Sequence, residues 1–175
     1  QLETVFLPIG WADELTAEPS RHLADADLRF ELTTSDPSLP TDEGNLVTRA
    51  ALLLADHVGI EPTGQFHLDK RVPYGAGLGS GSSDAAAALR LCAEVWNVEV
   101  SEASLHQLAA GLGSDVPFFL GDGAAHATGR GEILTPLHGE DGQPYRCPFW
   151  IVVAVPDVHV STAEAYSLVQ PSDVD

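Results

Sequence analysis

The stretch Pro73-Tyr74-Gly75-Ala76-Gly77-Leu78-Gly79-Ser80-Gly81-Ser82-Ser83-Asp84 runs directly into Ala85-Ala86-Ala87-Ala88-Leu89. Glycines let a loop bend sharply and expose its backbone amides, and alanine is the strongest helix former. The first amides of a helix have no partner within it, and the macrodipole places partial positive charge there. A glycine-rich loop opening a helix is therefore a cradle for a phosphate group, and the anion is expected at residues 82–84.

The chain needs such a local device. Its formal net charge is −18, from 26 acidic against 8 basic residues, and Lys70 is the single lysine. Nucleic acid and anionic membranes both require a basic surface, so neither is expected as a partner. Acidity with lysine nearly absent also resembles the surface chemistry of proteins from salt-rich cytoplasm, where carboxylates stay hydrated and salt screens their repulsion. A halophilic protein of this kind is expected to gain stability as potassium chloride rises.

With 175 residues and 44% hydrophobic content, the chain suffices for one well-buried core. Cys92 and Cys147 are isolated and lack CxxC spacing, which points to a reducing, cytoplasmic setting and to core packing. The seven histidines form no HxH or HExxH pair, which argues against a protein-ligated metal. No apolar run reaches membrane-spanning length, and no signal-peptide pattern opens the sequence. The chain starts at Gln1 and contains no methionine, which points to processing or to a fragment.

Residues 2–9, 14–18 and 28–33 alternate like strands, with Leu28, Phe30 and Leu32 on one side. Residues 35–44, with Pro37 and Pro40, read as a loop. From Asn45 the period becomes helical: Leu46, Val47, Ala50, Leu53, Leu54 and Val58 form one stripe that ends near Gly59. Residues 65–72 return to strand, with Phe66, Leu68 and Lys70 on one side, so the glycine loop joins a strand to a helix. Ser101 caps a further helix whose inner face carries Leu105, Leu108 and Ala109, stopped by Gly111 and Gly113. Residues 116–120, 124–128, 132–137 and 149–155 read as apolar strands or extended segments. A last short helix is expected over residues 162–168, with Ser161 as cap. Strands and helices mix without regular alternation, so the class is α+β rather than a doubly wound sheet.

Known phosphate loops narrow the choice. Walker A requires GK[ST], and no lysine follows these glycines; GxGxxG fails at Ser80, where a third glycine is due. The loop does resemble the signature of the GHMP kinases, a proline followed by a Gly-Leu-Gly-Ser-Ser-Ala-Ala core, with a Ser80-Gly81 expansion. The expanded form resembles one branch, the kinases of 4-diphosphocytidyl-2-C-methyl-D-erythritol in non-mevalonate isoprenoid synthesis. Leu112-Gly113-Ser114-Asp115-Val116-Pro117-Phe118-Phe119 is similar to that branch's Gly-[Ala/Ser]-Asp-Val-Pro-Phe-Phe motif. Gly129-Arg130-Gly131-Glu132 with Thr135-Pro136-Leu137, and Asp69-Lys70-Arg71-Val72-Pro73, also match in order.

The resemblance implies a GHMP kinase N-terminal domain of the ribosomal protein S5 domain 2 type over residues 1–155, without its first strand and that strand's catalytic lysine. Residues 156–175 would begin the connection to an absent C-terminal domain. It further implies an ATP-dependent kinase with magnesium, acting on a hydroxyl of a cytidine diphosphate-linked polyol, this chain alone being inactive. The chemistry is mostly positioning and charge neutralisation.

By role, Pro73, Gly75, Ala76, Gly77, Leu78, Gly79, Ser80, Gly81, Ser82 and Ser83 would cradle the triphosphate. The hydroxyls of Ser82 and Ser83 suit phosphate or magnesium contacts, or simple helix capping. Asp115 would take the proton of the attacking hydroxyl or orient it; the alternative is a loop aspartate capping its own turn. Asn45, Leu46 and Lys70 would lie near the nucleoside of ATP, with Asn45 otherwise a helix cap and Leu46 core. Thr162 and Tyr166 would lie near the cytidine, where an aromatic ring can stack on the base; Tyr166 is otherwise a half-buried helix residue. Lys70 does not replace the catalytic lysine, since it maps to the strand leading into the loop. A homoserine, mevalonate or sugar kinase, or a non-catalytic nucleotide-binding module, are the alternatives.

Overall fold

The computed structural model describes residues 2–18, 30–156 and 167–168. Among these, the order is β1 (Leu2–Phe6), β2 (Glu14–Glu18), β3 (Phe30–Thr34), α1 (Leu46–Val58), β4 (Gly64–Asp69), α2 (Ser80–Val95), α3 (Glu102–Leu112), a 3-10 helix (Val116–Leu120), β5 (Ala125–Gly129) and β6 (Ile133–Pro136). Two three-stranded sheets form. In the order β1-β5-β6 both pairings are antiparallel. In the order β2-β4-β3, β2 pairs antiparallel and β3 parallel to β4, so α1 serves as the crossover between two parallel strands.

Local chemistry sets the helix limits. The Asn45 Oδ1 accepts from the Val47 amide at 2.9 Å, and Gly59 closes α1 in the left-handed region at φ 73°. The Ser101 Oγ accepts from the Ser104 amide at 3.1 Å and starts α3. The core lies where the helices meet the β2-β4-β3 sheet. Val47, Leu54, Phe66, Leu68, Leu89 and Cys92 are all fully buried there. The Phe30 and Phe66 rings meet at a tilt of 36° with centroids 4.9 Å apart. Ala85, Ala86 and Ala88 are also fully buried; small side chains let α2 lie close to α1. The alanine run thus serves packing as well as helix propensity.

The α+β class stands, and the structure corrects several boundaries. Residues 116–120 are not extended: Pro117 sits in the first turn of a 3-10 helix, where its fixed φ is favourable. The Phe118 amide donates to Asp115 O at 3.2 Å and the Gly121 amide to Phe118 O at 3.1 Å. β1 stops at Phe6, two residues before Pro8, which cannot donate to a ladder. β4 stops at Asp69 because the next amides bind side chains instead of a strand, Lys70 donating to the Ser35 hydroxyl and Arg71 and Val72 to the Asp13 carboxylate. Residues 149–155 pair with no described strand: Phe149, Trp150 and Val152 are 76%, 101% and 93% exposed, and apolar content without a neighbouring edge does not make a strand. Cys92 packs in the core, where burial pushes its thiol up to about 12, whereas Cys147 lies half-buried outside it. Most of the helix expected at residues 162–168, including Thr162 and Tyr166, and Leu28 of the third strand lie outside the described residues. No helix among those described is long and apolar enough to cross a membrane.

Candidate active site

The glycine loop connects β4 to α2. Gly75 and Gly77 have φ of 75° and 72°, and Gly79, the N-cap of α2, has φ 69° and ψ 16°. A Cβ on Gly79 would stand 3.0 Å from the Phe119 ring, so left-handed backbone and close approach both demand glycine. The Ser83 amide donates to Gly79 O at 2.9 Å, which makes Ser83 the first residue within the helical ladder. The amides of residues 79–82 therefore lie outside it. The anion-binding end sits three residues earlier than the sequence pattern indicates, because Gly79 rather than a serine caps the helix. No side-chain cap bond is made there, so Ser82 and Ser83 are not caps, and both remain half-buried beside the loop.

Asp115 immediately precedes the 3-10 helix. It makes no side-chain cap bond; its Oδ1 accepts from the Ser114 hydroxyl at 3.2 Å. Capping therefore does not account for this carboxylate. A cavity of about 500 Å³ brings Asp115 together with Gly77, Leu78, Gly79, Ser80 and Ser83. Its other walls are largely apolar and aromatic, including Phe6, Trp11, Phe118 and Phe119. The Phe6 and Phe118 rings meet edge to face at 5.2 Å, which anchors the 3-10 helix to the β1-β5-β6 sheet.

The residues expected around the nucleoside separate into different tasks. Asn45 is occupied as a cap: besides accepting from Val47, its Nδ2 donates to Pro40 O at 2.8 Å. Leu46 is half-buried against the core, with a methyl 3.7 Å from the Cβ position of Gly81. Neither lines the cavity that holds Asp115.

Lys70 is engaged in an interior cluster. Its Nζ donates to Asp13 Oδ2 at 2.6 Å, Asp84 Oδ2 at 2.9 Å and Ser80 Oγ at 3.3 Å. The Lys70, Asp13 and Asp84 side chains are only 5%, 3% and 8% exposed. The other oxygen of Asp13 accepts from the amides of Arg71 at 2.6 Å and Val72 at 2.8 Å. The Trp11 indole adds a bond to Arg71 O at 3.0 Å. Burial works against the charge of Asp13, yet the bonds from Lys70 and the two amides outweigh it and hold the carboxyl below its ordinary range. Burial likewise opposes the Lys70 ammonium, and its two carboxylate partners raise it nonetheless. For Asp84 burial prevails over the Lys70 bond and pushes it up to about 6. Asp13 and Asp84 are the residues that sequence reasoning missed as partners of Lys70. The available signal was parity: Lys70, directly after β4, continues the alternation of Phe66 and Leu68, whose side faces inward, and an ammonium placed there needs carboxylates.

Similarity to known proteins covers the segment that carries this site. Residues 45–123, which include the loop and Asp115, match the GHMP kinases N terminal domain. The chain is 49% identical over 175 residues to a 4-diphosphocytidyl-2-C-methyl-D-erythritol kinase of Salinibacter ruber, covering 99% of this chain and 59% of that protein. It is 46% identical over 166 residues to the kinase of the same name from Prosthecochloris aestuarii, covering 94% and 54%. The chain thus spans about half the length of the curated relatives it matches. A crystal structure of 4-(cytidine 5'-diphospho)-2C-methyl-D-erythritol kinase is similar with a TM-score of 0.72 at 36% identity, over 98% of this chain and 56% of that one. Homoserine kinase from Cytophaga hutchinsonii shares the fold, with a TM-score of 0.60 at 20% identity over 90% of this chain and 50% of that one. The loop and the aspartate motif both lie within the residues that match the GHMP kinases N terminal domain, and the α+β scaffold carrying them is similar to that of the kinases above.

Proposed function

We propose that this chain is the phosphate-donor part of an ATP-dependent kinase that phosphorylates a hydroxyl of 4-diphosphocytidyl-2-C-methyl-D-erythritol. One observation carries the reading: Asp115, whose carboxylate caps nothing, faces the same cavity as the glycine loop. The amides of residues 79–82 would receive the triphosphate, and the acceptor hydroxyl would approach from the Asp115 side. Its oxygen bonds to the γ-phosphorus as the bond to the β-phosphate bridging oxygen breaks and ADP departs, while Asp115 accepts or orients the hydroxyl proton. Names of relatives supply the acceptor, and the apolar, aromatic cavity walls suit a bulky organic substrate.

A magnesium ion accompanying ATP fits the oxygen donors on this cavity, the Ser83 hydroxyl and Asp115, since magnesium is commonly shared between substrate phosphates and one or two protein groups. It would neutralise charge on the phosphates. Leu46 beside Gly81 supports a nucleoside position along the start of α2; Asn45 and Lys70 would act there through the backbone positions they fix. For Thr162 and Tyr166 the cytidine role rests on motif position. ATP as donor and reduced cysteines suit a cytoplasmic setting, and the acidic surface suits high salt.

Equilibrium binding tests the reading against a non-catalytic nucleotide module. The kinase reading expects saturable binding of both ATP and the cytidine diphosphate-linked polyol. Binding of ATP alone, or of neither, contradicts it.

A further inference from the structure

The loop over residues 71–79 has to present amides at fixed positions, yet its glycines are the residues with most conformational freedom. Ordering such a loop only when a ligand arrives would weaken binding. Its two ends, however, are tied by one buried group. At the entry, Asp13 receives the amides of Arg71 and Val72 at 2.6 and 2.8 Å and the Lys70 ammonium at 2.6 Å. At the exit, the same ammonium reaches the first residue of α2, Ser80, at 3.3 Å and the fifth, Asp84, at 2.9 Å.

We propose that Lys70 is a positioning residue of the triphosphate loop. Clamped between Asp13 and Asp84, it holds the end of β4 against the first turn of α2 and so sets the span the loop must bridge and the direction of the amides of residues 79–82. The inference rests on the assignment of this loop to ATP given above. Stability alone does not account for the arrangement. Well-packed apolar residues of similar volume commonly match or exceed a buried ion cluster in stability, whereas an ammonium with several acceptors fixes a register that apolar packing leaves loose. The clamp differs from a direct nucleotide contact because Lys70 is itself 5% exposed and has acceptors on both sides.

The test separates positioning from stability with two variants of the chain, Lys70→Met and Lys70→Met/Asp84→Leu. The double variant removes the carboxylate that the single one strands, and its denaturation midpoint is expected to recover. Two readouts are taken well below each midpoint: hydrogen exchange at the amides of residues 75–79 without ligand, and the Kd of a non-hydrolysable ATP analogue. Exchange is expected to accelerate at least about tenfold and the Kd to rise about tenfold in both variants, with the double variant remaining defective despite its recovered midpoint. If Lys70→Met fails to fold, Asp84→Leu alone, which keeps the Lys70 pair with Asp13, gives the same loosening of the loop. A recovered double variant whose loop exchanges as slowly as wild type overturns the clamp. Wild-type protein that binds no ATP analogue overturns the kinase reading instead, and the exchange measurement still decides the clamp.

Discussion

Lys70 and Asp84 form a buried ion pair of 2.9 Å between the end of β4 and the second turn of α2, with the whole glycine loop strung between them. Removing the cation strands a carboxylate in the interior. Lys70→Met is expected to cost about 3–5 kcal/mol in chemical denaturation. Asp13 keeps two amide donors, from Arg71 and Val72, so most of the cost falls on Asp84, and adding Asp84→Leu recovers much of it. A loss under about 1 kcal/mol in the single variant would show that the pair is not closed in solution.

The same pair sets a pH dependence. Asp84 rises from its ordinary 3.8 to about 6 in the fold, through burial, against the pull of Lys70. A raised carboxyl pKa means that the folded state holds the proton more tightly, so this group's contribution is greatest below pH 3.8 and is lost as pH climbs to about 6. Asp13, lowered by its three donors after burial is offset, works oppositely: its contribution is present above its ordinary pKa and vanishes as pH falls through the lowered one. The unfolding free energy of wild type minus that of Asp84→Asn is expected to decline by on the order of 2 kcal/mol between pH 4 and 6 and then level. A difference that grows with pH over that window contradicts the assignment.

Gly79→Ala places a Cβ 3.0 Å from the Phe119 ring at a backbone φ of 69°. The left-handed conformation alone costs roughly 1–2 kcal/mol for a residue with a side chain. The variant is expected to lose about that much stability and to bind ATP more weakly, whereas Gly10→Ala, where the Cβ meets nothing within 4 Å, loses neither. Equal behaviour of the two in calorimetry would remove the strain argument.

Salt addresses the surface. With 26 acidic residues against 8 basic ones, like-charge repulsion opposes the compact state and is screened by added ions. The thermal midpoint is expected to climb as potassium chloride approaches molar concentration; a flat or falling curve counts against adaptation to high salt.

Much of this was legible in the chain because short-range chemistry determines it. Asn45 and Ser101 cap the helices that they precede in the sequence, the stripe from Leu46 to Val58 lies against the core, and the glycines announce a loop bound to a helix start. What was illegible depends on distant partners. Nothing near Asp13 in sequence shows that its carboxylate takes the amides of Arg71 and Val72, 58 and 59 residues away, just beyond the end of β4. Alternation could not show that residues 116–120 curl into a 3-10 helix, since Pro117 and the turn at Gly113 outweigh apolar content. The exposed run Phe149 to Val153 takes the extended rather than the strand alternative, since it pairs with no edge among the described residues, which periodicity does not report.

The most direct measurement is phosphoryl transfer from ATP to 4-diphosphocytidyl-2-C-methyl-D-erythritol by the full-length protein and its Asp115→Asn variant, with ATP affinity measured in parallel. The amide keeps the shape of the side chain and removes its ability to accept a proton. The account predicts at least about a 100-fold loss of kcat with ATP affinity largely unchanged. Turnover within a fewfold of wild type, or absence of transfer by the wild-type protein, would contradict it.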